Sequence, residues 1–235
     1  MSAPSTAHEL LARAQALAGY TVGELAANLG VAQPGLPRHT KGWIGTLLEQ
    51  ALGADAGPRP EPDFTQLGIE LKTIPVTPAG VPHESTFVCM APARVAPSDR
   101  WEGSLVQRKL RRVLWIPIET LPAQPVALRR IGWPLVWSPS AADDATLQTD
   151  WEELIELLAT GQRESITARL GTYLQIRPKA ADRRATTRAA DATGIPDVTL
   201  PRGFYLRASF TRRILAEALT HSPAPLAAEG WGEGE

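Results

Sequence analysis

Residues 63–72 read Asp-Phe-Thr-Gln-Leu-Gly-Ile-Glu-Leu-Lys, and no other stretch constrains the chain as strongly. In an extended strand, side chains two apart point the same way. Glu70 and Lys72 therefore share one face, while Ile69 and Leu71 share the other and can anchor a core. Asp63 lies seven residues before Glu70, across a bend marked by Gly68, so it can fold back beside Glu70. Two carboxylates with an ammonium next to them suit a hard divalent cation such as Mg2+, which takes one or two protein carboxylates plus substrate phosphates. Such a set can hydrolyse a phosphodiester. The metal lowers the pKa of its water and polarises the phosphoryl oxygen, and the lysine offsets charge building on phosphorus. A charged surface strand with an ordinary ion pair would carry the same letters, and spacing alone leaves both readings open.

The rest of the chain narrows the setting. Its 235 residues allow one sizeable domain, or two lobes around a shared core. The single cysteine, Cys89, excludes an internal disulfide and a multi-cysteine zinc site, and fits a reducing compartment. Histidines 8, 39, 83 and 221 are scattered without metal-ligand spacing. No run approaches the ~18 apolar residues of a membrane span. The N-terminus lacks the basic and apolar regions of a signal peptide, so a cytoplasmic location is expected. The net charge of −1 does not by itself point to nucleic acid, but residues 163–213 hold eleven Lys/Arg against four Asp/Glu. A basic region on a nearly neutral chain is a candidate phosphate-binding face, with chance clustering of surface charge as the alternative.

Apolar periodicity predicts helices over 7–18, from the Thr21 capping box to Leu29, and over 41–53. In the third, Trp43, Ile44, Leu47, Leu48 and Ala51 form the apolar stripe. Glu49 falls opposite, on the side of Gly42, Gly45 and Gly53. Glycine is unfavourable in a helix. Either another backbone or a ligand approaches there, making Glu49 a third carboxylate of the site, or Glu49 is a solvated residue beside terminal glycines. Residues 53–63 form a stiff proline-rich linker into a strand at 69–76. A hairpin connection over 75–82 predicts an antiparallel strand at 85–92. The run 113–119 reads as a buried strand, with Pro117 placing it at an edge or ending it. Further strands are expected at 131–139, 166–179 and 200–210. In the second of these, Arg177 and Lys179 can point the same way. Helices are expected at 103–112, 140–159 and 211–219, the acids of the 140–159 helix forming a solvated face. Residues 180–194 read as a basic loop or weak helix, and 221–235 as an acidic, disordered tail. There is no internal repeat.

Several of these stretches, in order and spacing, resemble the MutH family of DNA mismatch repair endonucleases: KGWIGTLLE, DFTQLGIELKTIPV, TFVCMAP, KLRRVLWIPIE, WEEL, ITAR, YLQIRPKA and LPRGFYL. The resemblance runs from about Leu10 to Leu215. It implies an α/β, restriction-endonuclease-like core: a mixed central sheet with flanking helices, and two arms around a DNA cleft. Residues 1–220 would be one endonuclease domain. The metal site would lie in an N-terminal arm (about 1–100) and the DNA-recognition segments in a C-terminal arm (about 101–220). The implied activity is Mg2+-dependent nicking of the unmethylated strand at hemimethylated GATC sites, 5′ to the G. MutL would activate the enzyme after MutS has found a mismatch, and the enzyme would act as a monomer. One or two Mg2+ ions are implied, in a site that Mn2+ or Ca2+ can also enter.

By position, Asp63, Glu70 and Glu49 resemble the family's metal-binding carboxylates, and Lys72 and Lys109 its catalytic lysines. Arg177 and Lys179 resemble its base-reading pair, matching the preference of Arg and Lys for guanine O6 and N7. Tyr205 resembles the tyrosine that senses adenine methylation. Phe87 would touch bases, with core packing of a strand aromatic as the alternative for both rings. Lys41, Arg183, Arg184 and Arg188 would be phosphate contacts, which position without reading sequence. A GATC-specific restriction-type endonuclease outside repair is the alternative on the same fold.

Overall fold

The computed structural model describes residues 2–34, 42–167, 169–179, 187–190, 196–199 and 201–221, of which 187–190, 196–199 and 218–221 are described by their backbone. In chain order the N-terminal elements are α1 Ala7–Gln15, α2 Val22–Asn28, α3 Trp43–Leu52, β1 Glu70–Val76, β2 Thr86–Met90, α4 Leu105–Leu110 and β3 Val113–Glu119. They are followed by β4 Arg130–Ile131, β5 Leu135–Trp137, α5 Ala141–Ala159, β6 Leu174–Pro178, β7 Thr187–Ala190, β8 Pro196–Thr199, β9 Arg202–Leu206 and α6 Ala208–His221.

In place of one central sheet there are two, plus a ribbon. The first has the order β1-β3-β4, with β5 also on β3; the second has the order β2-β9-β6; β7 and β8 pair as a two-stranded ribbon. The expected hairpin between β1 and β2 does not form. β1 pairs with β3 in parallel, and β2 pairs with β9 in the other sheet. The reason lies in the apolar run of β3. Leu114, Ile116 and Ile118 enter a core with α1, α2 and α3, while Val113 and Trp115 enter a second core with α4, α5, α6 and the second sheet. A strand buried on both faces offers β1 more than a hairpin partner could.

Pro117 therefore sits in a central strand and not at an edge. Glu70 N donates to Arg112 O and Thr120 N to Val76 O, so the even-numbered residues of β3 bond β1. The odd-numbered side of Pro117 faces the gap between β5, paired at 113–115, and β4, paired at 118–119. No ladder partner there asks for the missing proline N–H, and the Pro117 carbonyl accepts from Gly132 N at 2.8 Å. The strand expected across 166–179 is confined to 174–178. Within the predicted loop or weak helix at 180–194, residues 187–190 pair backbone to backbone with 196–199. The remainder of that segment and the predicted tail from residue 222 lie outside the described residues. Among the described residues, no helix is long and apolar enough to cross a membrane.

The acids of α5 do not form a plain solvated face. Asp143 and Asp150 are buried. Asp143 closes a capping box with Ser140 and pairs with Arg213 of α6. Burial pushes its carboxyl upward, but the Ser140 and Arg213 hydrogen bonds prevail and hold it below its usual value. A carboxylate with a depressed native pKa stabilises the fold above its unfolded pKa, and loses that contribution as pH falls through the native one. Arg213→Ala is thus expected to lower stability by about 1 kcal/mol at neutral pH. That deficit should shrink once Asp143 protonates, leaving what the truncation loses against the Tyr173 and Phe210 rings, as read by urea denaturation across acid pH.

Candidate active site

The bend between Asp63 and Glu70 closes on itself. Phe64 N donates to Ile69 O at 2.9 Å, Ile69 N donates back to Phe64 O at 3.3 Å, and Gly68 takes a left-handed φ of 59°. This turn returns Asp63 to the start of β1, where its Oδ2 accepts from Leu71 N at 2.8 Å. Phe64 and Ile69 are buried beneath it and fix the turn to the α1–α3 core. The fold-back expected from the spacing is thus realised.

Glu70 is 1% exposed and lies between two ammonium groups. Lys72 Nζ donates to its Oε1. Lys109 Nζ lies 2.7 Å from Oε2 and 2.9 Å from Oε1, and also donates to the Glu61 carbonyl at 3.0 Å. The parallel pairing explains how a residue 39 positions away arrives there. β1 and β3 begin side by side, with Glu70 opposite Val113. Helix α4 ends just before β3, so its last turn delivers Lys109 to Glu70.

Glu49 projects from α3, which packs on β1. Its carboxyl is pushed above the usual range, first by burial and then by the charge of Asp63, with Glu70 adding to it. Asp63 is raised for the same reasons, burial first and Glu70 next. The three acids therefore share one electrostatic neighbourhood. They do not close into a ready cage: among the described residues, no three Asp, Glu, His or Cys side chains are gathered tightly enough to hold a metal ion. Lysine ammonium groups satisfy Glu70 instead. The donor set still fits a hard divalent cation. All three groups are oxygen donors, and two of them carry charge that burial and like-charged neighbours disfavour, a penalty that a cation relieves. The three glycines near Glu49 have a mixed explanation. Gly42 and Gly53 are left-handed helix ends, a Cβ on Gly53 would meet Ser2 O at 2.5 Å, and Gly45 has open space.

The second sheet presents the other predicted set. Ile176, Leu174, Phe204 and Leu206 turn to the core, and alternation places Gln175, Arg177 and Tyr205 on the opposite face. Phe87 and Tyr205 are register partners, their rings edge to face at 5.3 Å. Lys179 Nζ lies 3.0 Å from the Phe87 ring centre, and the Arg177 guanidinium lies 5.8 Å from that of Tyr205. A Cβ on Gly203 would come within 2.7 Å of the Phe87 ring, so glycine is what lets that ring lie across β9. Tyr205 and Phe87 are half-buried on this face and lie outside the core. Lys41, Arg183 and Arg184 lie outside the described residues, as does the side chain of Arg188. Part of the basic surplus is structural: Arg163, Arg207 and Arg213 donate to Ala93 O, Gly171 O and Asp143 respectively. Cys89 is buried, which pushes its thiol up to about 11 and leaves it unreactive.

Sequence reasoning missed the Glu61 carbonyl under Lys109 and Ser85, whose Oγ accepts from Arg177 at 2.5 Å. It also missed Gln175 beside Tyr205. The position of Gln175 was recoverable from the two-residue period that it shares with Arg177. The other two are tertiary neighbours that no local pattern marks.

Residues 52–150 match the family described as DNA mismatch repair enzyme MutH. Over 216 residues the chain is 55% identical to the DNA mismatch repair protein MutH of Escherichia coli strain K12, covering 92% of this chain and 94% of that one. The same figures hold for the protein of that name from Escherichia coli O6:K15:H31. The chain belongs to the MutH family. The Asp63–Glu70–Lys72 turn and strand fall inside the matched segment, as do Lys109 and β3. The mixed α/β architecture, two sheets with helices around them, is consistent with membership of this enzyme family.

Proposed function

We propose that this protein is an Mg2+-dependent DNA endonuclease of mismatch repair. It nicks the unmethylated strand of hemimethylated GATC sites 5′ to the G, under activation by MutL. The observation that carries this reading is the convergence of Lys72 and Lys109 on the buried Glu70 carboxylate, with Asp63 and Glu49 in its electrostatic neighbourhood, in a chain of the MutH family. Asp63, Glu70 and Glu49 would hold the metal. Bound there, it would supply Lewis-acid stabilisation and a water of lowered pKa. Lys72 would stand by the scissile phosphate and offset developing negative charge. Lys109, tethered by the Glu61 carbonyl, would hold Glu70 in place and add a second positive charge. The face of β6 and β9 would read the site. Arg177 and Lys179 would donate to guanine O6 and N7, and the Tyr205 ring would lie where a methyl on adenine N6 displaces it. The two sheets would then form the arms of a DNA cleft.

The test uses purified protein with Mg2+ and MutL on unmethylated, hemimethylated and fully methylated GATC duplexes. Nicking of the unmethylated strand is expected with the first two, and none with the third. Cleavage indifferent to methylation would return the restriction-type reading. Tyr205→Ala is expected to lose the discrimination against methylated strands while keeping Mg2+-dependent nicking, since it touches neither carboxylate nor lysine of the metal site.

A further inference from the structure

Strand β6 carries Arg177 and leads directly into Lys179, and its register on β9 decides which way they point. Leu174 lies opposite Leu206 and Arg177 opposite Gly203. A slip of one residue would exchange the two faces of β6. It would send Arg177 toward the core and Ile176 toward the reading face. Burial of Leu174 and Ile176 opposes such a slip, and a second, polar device fixes where β6 begins.

A buried acid from another element sits at that point. Asp150 of α5 is 3% exposed. Its carboxylate accepts from three consecutive backbone amides, Thr172 N at 2.7 Å and Tyr173 N and Leu174 N at 2.6 and 2.8 Å. The carbonyl side of the same loop is held from the opposite direction. The Arg207 guanidinium donates to Gly171 O at 2.9 Å and Leu170 O at 2.6 Å, and Arg207 N donates to Tyr173 O at 2.8 Å. Gly171, at φ 77°, lets the loop close so tightly that a Cβ there would lie 1.9 Å from Leu174 O. The loop is clamped on both polar sides, and the last residue that Asp150 binds is the first residue of β6.

We infer that Asp150 is a positioning residue for DNA sequence recognition: its carboxylate, with Arg207, sets the register of β6 and so the direction of Arg177 and Lys179. This rests on the reading of β6 and β9 as the base-reading face. It assigns specificity to a residue that touches no DNA and stands on a helix of the core. Loss of the clamp should harm discrimination more than affinity. Phosphate contacts made elsewhere hold the duplex regardless of sequence, and the carboxylate–lysine cluster lies on the other sheet.

The experiment compares the full chain with Asp150→Asn, whose amide cannot accept all three N–H groups. Leu147→Ala, a core truncation on the same helix, controls for lost stability. Binding is measured on a hemimethylated GATC duplex and on a scrambled duplex of the same composition. Hydrogen exchange of the β6 amides is followed without DNA. For Asp150→Asn the ratio of specific to non-specific affinity is expected to fall about ten-fold or more, the scale of one lost base contact. Binding to the scrambled duplex should stay within about two-fold of the wild type. The β6 amides should exchange faster than those of β3. In nicking assays KM for GATC duplex should rise while kcat is largely kept. Leu147→Ala should lower the melting temperature but keep the ratio.

An Asp150→Asn protein with an intact ratio overturns the inference, as does a control that loses the ratio equally. If Asp150→Asn does not fold, Arg207→Gln removes the other side of the clamp and must show the same selective loss. A wild type that does not prefer GATC, with β6 exchange still sensitive to Asp150, removes the recognition reading and the inference with it. Retained preference without sensitivity to Asp150 removes the inference alone.

Discussion

Asp63→Asn is expected to lower Mg2+-dependent nicking by at least about a hundred-fold, and at the same time to make the metal-free protein more stable. Burial, then the neighbouring Glu70 carboxylate, holds the Asp63 carboxyl above its usual value. An ionised group so placed works against the fold. The asparagine keeps an oxygen for Leu71 N, which Asp63 Oδ2 now binds at 2.8 Å, and removes the charge. A gain of about 1 kcal/mol would raise the melting temperature of a chain this size by roughly 2–4 °C. Because the native pKa is raised, the folded state holds its proton more tightly than the unfolded one. The wild type therefore loses stability as pH climbs through that raised range. The advantage of the variant should grow as pH climbs through that raised range and disappear in acid, where both side chains are neutral. Added Mg2+ should raise the melting temperature of the wild type and leave the variant almost unmoved. Thermal melts with and without EDTA across pH check all three. A variant less stable than wild type at neutral pH without metal would refute the account.

Glu70→Gln should behave in the opposite way, although it too abolishes nicking. The Lys72 and Lys109 side chains are 14% and 13% exposed, and Glu70 is what both of them meet. Removing that charge leaves two ammonium groups in a largely dry site, and breaking such a pair typically costs about 3–5 kcal/mol. Replacing Lys109 by Met in the same chain removes one of the stranded charges. The double variant Glu70→Gln/Lys109→Met should therefore be more stable than Glu70→Gln alone, while neither nicks. A double-mutant cycle in urea denaturation measures the coupling. Additivity would mean that Lys109 does not depend on Glu70. Two carboxylates of one cluster are thus predicted to differ in sign, because one is surrounded by like charge and burial and the other by cations.

Much of this site was legible along the chain because its geometry is local. The turn from Asp63 to Glu70 needs only Gly68 and two apolar anchors. Glu70 and Lys72 share a face because a strand repeats every two residues. Arg177 and Lys179 likewise share a side because they stand two apart in an extended stretch, whereas Tyr205 was marked only by the family resemblance. Helical periodicity located α3 and α5, and the capping box read at Thr21 is present in the fold. The part of the reading that failed was partner choice. β2 follows β1 closely enough for a hairpin, yet β1 prefers β3, because β3 has two apolar faces to cover. The acids of α5 read as solvated because charge usually is, and nothing near Asp150 in the chain announces that three amides more than twenty residues later will need it.

The sequence by itself therefore determined which residues could be chemical: a turn-and-strand acid pair with its lysine, and a basic strand end. Those follow from periods of two and 3.6 residues that every chain obeys. Tertiary structure alone decided their company. It brought Lys109 to Glu70 through a parallel pairing, divided the strands between two sheets around one doubly buried strand, and placed Asp150 under the start of β6. The physical reason is that burial and charge compensation depend on who arrives from elsewhere, and that is settled only when two cores close at once.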